Sequence, residues 1–153
     1  MSNRKYSELA ASLTTTIAQG EQKSHLCFLQ KEVDKTVQVY NQKGKPEKAL
    51  LEFDENDRLI GLRLSDDASD TAPASTTKNS YVVALTKEDM GRGSVGYIQV
   101  TPCTDGVART IIAADENKNE LGINLDIDVD GHVLGIELMN GDWLPVDTEP
   151  VSG

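Results

Sequence analysis

The chain has 153 residues, of which 38% are hydrophobic and 5% aromatic, and its formal net charge is −10. This length suits one domain or two very small ones, and the composition is that of a folded protein. No apolar run could span a bilayer, and residues 1–19 lack the apolar core of a secretory signal, so we expect a cytoplasmic protein. Residues 1–50 carry a charge of +3 and residues 51–153 carry −13. An acidic surface argues against binding to nucleic acid or to anionic membranes, and it suits a basic protein partner.

Two cysteines, Cys27 and Cys103, are too few for a disulfide scaffold. Each lies among apolar or β-forming neighbours, so we expect buried or half-buried free thiols. A nucleophilic cysteine would need a histidine as its base, and the sequence places neither His25 nor His132 beside a thiol. The cysteines therefore do not indicate an enzyme.

The N-terminal segment has apolar residues at helical spacing. These are Tyr6, Leu9, Leu13 and Ile17. The pattern predicts an N-terminal helical segment, residues 1–22, in which Gly20 is the natural stop of the helix. Three consecutive threonines at 14–16 lower the helix propensity, so we expect this helix to depend on docking against the rest of the protein.

After Gly20 the pattern changes to the alternation that is typical of β-strands. A first β unit, residues 23–65, has predicted strands at 24–30, 36–41, 49–54 and 58–65. Residues 66–80 are small and polar and predict a flexible linker. A second β unit, residues 81–146, has an apolar segment (strand or helix) at 81–87 and predicted strands at 95–101, 108–114, 122–129 and 132–139. We expect Trp143 to pack against the core and residues 147–153 to form a frayed tail.

The two units contain similar hairpin sequences. Residues 51–64 read LEFDENDRLIGLRL and residues 125–138 read LDIDVDGHVLGIEL, and the two align without a gap. Gly61 and Gly135 have the same position in this alignment, where a glycine inside a strand marks a bulge or a close approach by another backbone. We infer a duplication. The predicted fold is therefore mainly β (α+β), with two repeated antiparallel strand-hairpin units and an N-terminal helix.

Residues 94–140 carry a Gly-Tyr-Ile element at 96–98 and, after an acidic turn, Gly-Ile-Glu-Leu at 135–138. This arrangement resembles the uncharacterised bacterial family called domain of unknown function 2283. Residues 24–65 look like a degenerate second copy. The resemblance implies a shared fold and no particular activity. Some members of that family accompany toxin genes, which implies an antitoxin-like role.

Asp126, Asp128, Asp130 and Glu137 have the spacing of an EF-hand calcium loop, with Gly131 at the turn. Three carboxylates and a bidentate glutamate are suitable ligands for Ca²⁺. An EF-hand loop lies between two helices, however, and here both flanking segments alternate as strands. We therefore predict a hairpin whose aspartates face solvent, with calcium as the alternative and no other cofactor.

The sequence contains no recognisable catalytic set, so the leading hypothesis is a non-enzymatic acidic binding protein of unknown role. Its partner would be a basic protein, as for an immunity or antitoxin-like factor. One alternative is an acidic nucleic-acid mimic that inhibits a DNA-binding protein, although residues 1–50 are net basic. Another is a weak calcium-binding module. An enzymatic alternative would assign acid–base chemistry to the four carboxylates of the calcium motif, but a hairpin tip offers little burial to shift a carboxyl pKa.

Overall fold

A computed structural model of the chain describes residues 4–69, 71, 73–91, 93–100, 106–129, 132–147 and 149–150. The described part of the chain is built almost entirely from β-strands. In chain order they are β1 Arg4–Ala18, β2 Glu21–Cys27, β3 Lys35–Tyr40, β4 Pro46–Phe53, β5 Leu59–Asp67, β6 Ser75–Asp89, β7 Ser94–Gln99, β8 Arg109–Ala114, β9 Glu120–Ile127, β10 Val133–Leu138 and β11 Glu149–Pro150. One turn of 3₁₀ helix, Gly141–Trp143, follows β10.

The first ten strands form one closed antiparallel barrel in the order β1-β2-β5-β4-β3-β8-β9-β10-β7-β6, and β6 pairs back onto β1. The short β11 adds to β1 beside this ring. The described residues contain no α-helix, so the predicted α+β class is wrong. No helix in the described ranges is long and apolar enough to cross a membrane.

The predicted N-terminal helix is the strand β1. It pairs with β6 along fourteen residues and with β2 along seven. Ala11 is buried, and Leu9 and Leu13 pack against the core. The alternation of these residues places them on one face of a strand, and the β-branched threonines favour the same conformation.

The predicted linker at 66–80 is largely β-strand. β5 continues to Asp67 and β6 begins at Ser75. Residues 75–80 pair with residues 12–17 of β1, and the segment at 81–87 is strand, not helix. The strands of both predicted units belong to one sheet, so the two hairpin units do not form separate sheets.

Both predicted hairpins are present, as β4–β5 and as β9–β10. Glu52 pairs with Gly61 and Asp126 with Gly135, and each residue of the second pair lies 74 positions after its counterpart in the first. Each hairpin has a register irregularity beside this glycine pair. The turn of the first hairpin lies at residues 55–57. The connection between β9 and β10 includes residues 130 and 131, which lie outside the described residues.

The neighbouring strands correspond in the same way, except that a residue of β1 or β2 corresponds to the residue 72 positions later, in β6 or β7. Two sets of sheet pairs define this shift: Leu26 pairs with Leu62 as Ile98 pairs with Ile136, and Ser12 pairs with Cys27 as Ala84 pairs with Gln99. β3 and β8 correspond with the shift of 74, and their one register pair in the sheet is Tyr40 with Ala114. Strands β1–β5 and β6–β10 are therefore two halves with matching registers, and residues related in this way are called corresponding residues below.

The core fills the barrel with aliphatic side chains from both halves. Its fully buried members include Leu51, Leu62, Leu85, Ile98, Leu125 and Ile136. Corresponding residues, such as Leu51 and Leu125, lie at equivalent depth. Burial of a side chain of this size contributes about 1.5–3 kcal/mol, so this layer is a main source of stability.

Candidate functional site

A cavity of about 880 Å³ lies at one end of the barrel. We call this the open end. Aliphatic side chains from most of the strands line its interior. They include Leu13, Leu26, Ala49, Leu64, Ile111 and Ile127. Each projects from the inward face of its strand, so closure of the sheet brings them together.

Charged residues surround the entrance to this cavity. We call them the rim: Glu47, Lys48, Asp66, Arg109, Asp128 and His132. Arg109 forms a long ion pair of 3.7 Å with Glu47, and His132 lies 3.4 Å from Asp128. The site is therefore apolar inside and charged of both signs at its entrance, with three carboxylates against two permanent cations.

The opposite end of the barrel is filled by the chain itself. Residues 141–146, called the C-terminal plug, fold over it after β10. Leu144 is only 1% exposed, and Trp143 and Val146 pack against the core. A cavity of about 200 Å³ is left at this closed end.

Two glycines lie against the plug. A Cβ atom on Gly96 would lie 2.9 Å from Leu144, and a Cβ atom on Gly122 would lie 3.4 Å from the ring of Trp143. At the open end the corresponding residues are Ser24 and Lys48. The open cavity is thus the counterpart of the place that the plug occupies, and no segment of the described chain fills it.

The predicted calcium ligands already have protein partners. Asp126 accepts hydrogen bonds from Thr110 (2.7 Å) and Tyr97 (3.1 Å), and Asp128 accepts one from the backbone N–H of His132 (2.9 Å). Glu137 accepts one from Asn124 at 3.2 Å. No three His, Cys, Asp or Glu side chains among the described residues form a metal cluster. Asp130 lies outside the described residues, so calcium binding stays a prediction.

Asp128 and its counterpart Asp54 close the two hairpin turns. Asp54 accepts hydrogen bonds from the N–H groups of Asn56 (2.9 Å) and Arg58 (3.0 Å), and its other oxygen accepts one from Lys31 (2.8 Å). Side-chain capping of this kind is a common use of aspartate in turns. It accounts for the matching positions of Asp54 and Asp128 in the two hairpins without a metal.

The two strand glycines lie beneath polar clusters on the outside of the barrel. At Gly61, Glu52 is 5% exposed and contacts His25 (2.6 Å) and Arg63 (3.0 Å). At Gly135, the corresponding cluster consists of Asp126, Tyr97 and Thr110. The sequence located the glycines, but pairing of His25 with Glu52 depends on the β2–β5–β4 strand order, which it did not predict.

Cys27 is a free, half-buried thiol, as the sequence led us to expect. Burial and then the nearby Glu52 carboxylate raise its pKa, and its Sγ donates a hydrogen bond to the carbonyl of Leu29 at 3.2 Å. A raised pKa reduces the thiolate fraction that a nucleophile needs. Cys103 lies outside the described residues.

No protein-family model matches the chain, and no curated protein and no solved structure shows a significant match to it. The resemblance to the domain of unknown function 2283 therefore stays a prediction, and these comparisons give no support for a duplication. The fold and the cavity by themselves define the class: a ten-stranded antiparallel barrel with one end filled by its own chain and an apolar cavity at the other.

Proposed function

We propose that the chain is a non-enzymatic binding protein that takes an apolar group into the cavity at the open end of the barrel. The observation that carries this proposal is the cavity of about 880 Å³, with its aliphatic interior. Ligand pockets typically occupy about 300–1,000 Å³ and combine apolar walls with a few polar groups at defined places. Removal of an apolar group from water into such a cavity supplies most of the binding free energy.

The charged residues of the rim determine which polar groups a ligand can carry beside its apolar group. Arg109 and Lys48 can contact an anion, whereas Asp66 and Asp128 can contact a cation or a hydrogen-bond donor. A wholly apolar ligand would take water away from these charged groups and offer them no hydrogen bond in return, which is costly. We therefore expect a ligand with an apolar part for the cavity and a polar part for the rim.

An enzymatic role has less support from the geometry. Asp126 and Glu137, two of the four carboxylates considered for acid–base chemistry, do not line this cavity, and both accept hydrogen bonds from neighbouring side chains. Of the three among them that the structure describes, only Asp128 is part of the rim. The calcium module and the nucleic-acid mimic stay alternatives, and no feature of the cavity favours either.

The proposal can be tested with N-phenyl-1-naphthylamine, a neutral apolar probe whose fluorescence rises in a dry site. We expect one probe molecule to bind each chain. Ala49→Phe fills the cavity and should abolish binding, whereas Ala10→Phe adds the same volume at an exposed position and should leave it unchanged. Near-ultraviolet circular dichroism verifies that both variants are folded, and Ala49→Leu is the smaller substitution if Ala49→Phe is not. Equal binding by wild type and a folded Ala49 variant would overturn the proposal.

A further inference from the structure

We propose that the natural occupant of the open end is a segment of a partner protein, which places an apolar pair in the cavity and adds a β-strand to the free edge of β6. This inference rests on the proposed function, because it names the ligand of the same cavity. The way in which the chain fills its own closed end supports it, as do the charges that differ between the two ends.

At the closed end, one continuous segment both inserts apolar side chains into the barrel and adds a strand to the sheet. The C-terminal plug inserts Trp143 and Leu144, and the chain then forms β11, in which Glu149 and Pro150 pair with Tyr6 and Lys5 of β1. Apolar insertion and strand addition thus come from ten consecutive residues, 141–150. Strand addition to an exposed sheet edge, with side chains in adjacent pockets, is a recurring mode of peptide recognition.

The open end has the same two surfaces, an apolar cavity and a free strand edge, and no segment of the described chain occupies them. The residues that correspond to positions 5 and 6 of β1 are Thr77 and Lys78 of β6. Residues 75–83 pair with β1 on one side, and among the described residues no strand pairs with their other side. Residues 75–80 are exposed. A free edge of this kind is a template for pairing with another chain.

The charges show that the occupant differs from the plug. At the closed end, Asp142 pairs with Lys87 (2.6 Å) and Asp147 with Arg58 (2.5 Å). The residues corresponding to these two cations are Thr15 and His132. Neither is a permanent cation, so a second copy of residues 141–150 would lose both ion pairs.

The rim instead favours a neutral or basic segment. Its three carboxylates, Glu47, Asp66 and Asp128, outnumber its two permanent cations, Lys48 and Arg109, so its net charge is negative. An acidic segment would add to this negative charge, whereas lysine or arginine beside the apolar pair would offset it. The inferred partner is therefore a protein with an extended, basic segment around one large aromatic or aliphatic pair, and not a second copy of this chain.

The test uses the full chain and two capped synthetic peptides. One has the sequence of residues 140–150 with Asp142→Lys and Asp147→Lys, and the other keeps both aspartates. Binding is measured by calorimetry, site occupancy by displacement of N-phenyl-1-naphthylamine, and strand addition by hydrogen exchange of the amides in residues 75–80. We expect the lysine peptide to bind one to one, to displace the probe and to slow exchange at amides that face away from β1. Replacing Trp143 and Leu144 of that peptide by alanine should weaken it about tenfold or more.

Other results have distinct meanings. If the probe binds and the lysine peptide does not, the partner segment is wrong and the cavity binds a small molecule, so the proposed function stands. If the peptide binds without displacing the probe or without protecting residues 75–80, the inference is overturned. Equal or tighter binding by the aspartate peptide would identify a second copy as the occupant and overturn the charge argument. If neither probe nor peptide binds, both proposals fail.

Discussion

The side chain of Tyr97 lies directly over the backbone of Gly135, on the strand next to its own. A Cβ atom at position 135 would overlap the hydroxyl group and the ring of Tyr97. The same hydroxyl donates a hydrogen bond to Asp126, which pairs with Gly135 in the sheet. Gly135 is therefore required by the close approach of a side chain, which is one of the recognised reasons for a glycine inside a strand.

Gly135→Ala should destabilise the protein by about 1–3 kcal/mol, because the methyl group forces Tyr97 out of its place. The free energy of unfolding, measured with urea, checks this. Gly61→Ala should cost less, because its nearest contact is a side-chain oxygen of Glu52 at 2.5 Å and not a ring. Gly106→Ala is the control, since a Cβ atom there meets nothing within 4 Å.

A double-mutant cycle separates overlap from a general effect on the strand. Tyr97→Ala removes the ring, so Gly135→Ala should cost much less in that background than in the wild type. Additive effects of the two substitutions would show that Tyr97 is not the reason for the glycine.

Tyr97 also makes stability depend on alkaline pH. Burial and then Asp126 raise the pKa of Tyr97 to about 12, above its ordinary value of 10.0. A pKa raised in the folded state gives a stabilisation that is complete below pH 10 and is lost as the pH rises towards 12. Because the side chain is partly exposed, we expect at most ~2 kcal/mol. The stability difference between wild type and Tyr97→Phe should therefore shrink over this range, and a difference that is constant with pH would contradict the assignment.

The wrong prediction of a helix for the segment that forms β1 has a simple geometric cause. Leu9, Leu13 and Ile17 are spaced by four residues. Four is close to one helical turn and is also an even number, so the same residues share one face of a helix and one face of a strand. Ala11 completes the alternation, and its buried position distinguishes the two. Pairing with β6, a segment whose polar composition resembles a linker, decides the conformation.

The cavity could not be predicted from local sequence patterns. Residues that line it, such as Leu13 and Ile127, are far apart in the sequence and meet only because the sheet closes. The hairpins were predictable, because alternation and turn residues are local signals. The plug was predictable only in part: Trp143 packs against the core as expected, but no pattern indicated that no segment of the described chain would fill the other end.

Asp54 should be essential to the first hairpin. Its side chain is fully buried, and burial by itself would raise its pKa. The hydrogen bond from Lys31 and those from the backbone of Arg58 and Asn56 outweigh this effect, so the pKa of Asp54 is lowered from its ordinary value of 3.8. The stabilisation is thus present above that value and is lost as the pH falls through the lowered pKa.

Asp54→Ala should cost about 1–3 kcal/mol near neutral pH, because it leaves the N–H groups of Asn56 and Arg58 without their acceptor and removes the partner of Lys31. Urea unfolding at pH 7 measures this. The control is Asp115→Ala: Asp115 caps a turn with the same pattern, from Asn117 and Asn119, but it has no ion-pair partner among the described residues. A loss at Asp115 as large as at Asp54 would show that the cap, and not burial with Lys31, is what matters.

Leu144→Ala tests whether the two ends of the barrel are equivalent binding sites. Leu144 is fully buried in the C-terminal plug, so truncation should destabilise the protein by about 2–5 kcal/mol. It should also open a second apolar cavity, and the number of N-phenyl-1-naphthylamine molecules bound per chain should rise from one to two. Leu64→Ala is the matched control, because it enlarges the open cavity without creating another. A stoichiometry that stays at one in folded Leu144→Ala would mean that the closed end cannot hold an apolar ligand, and would weaken the argument from its plug to the occupant of the open end.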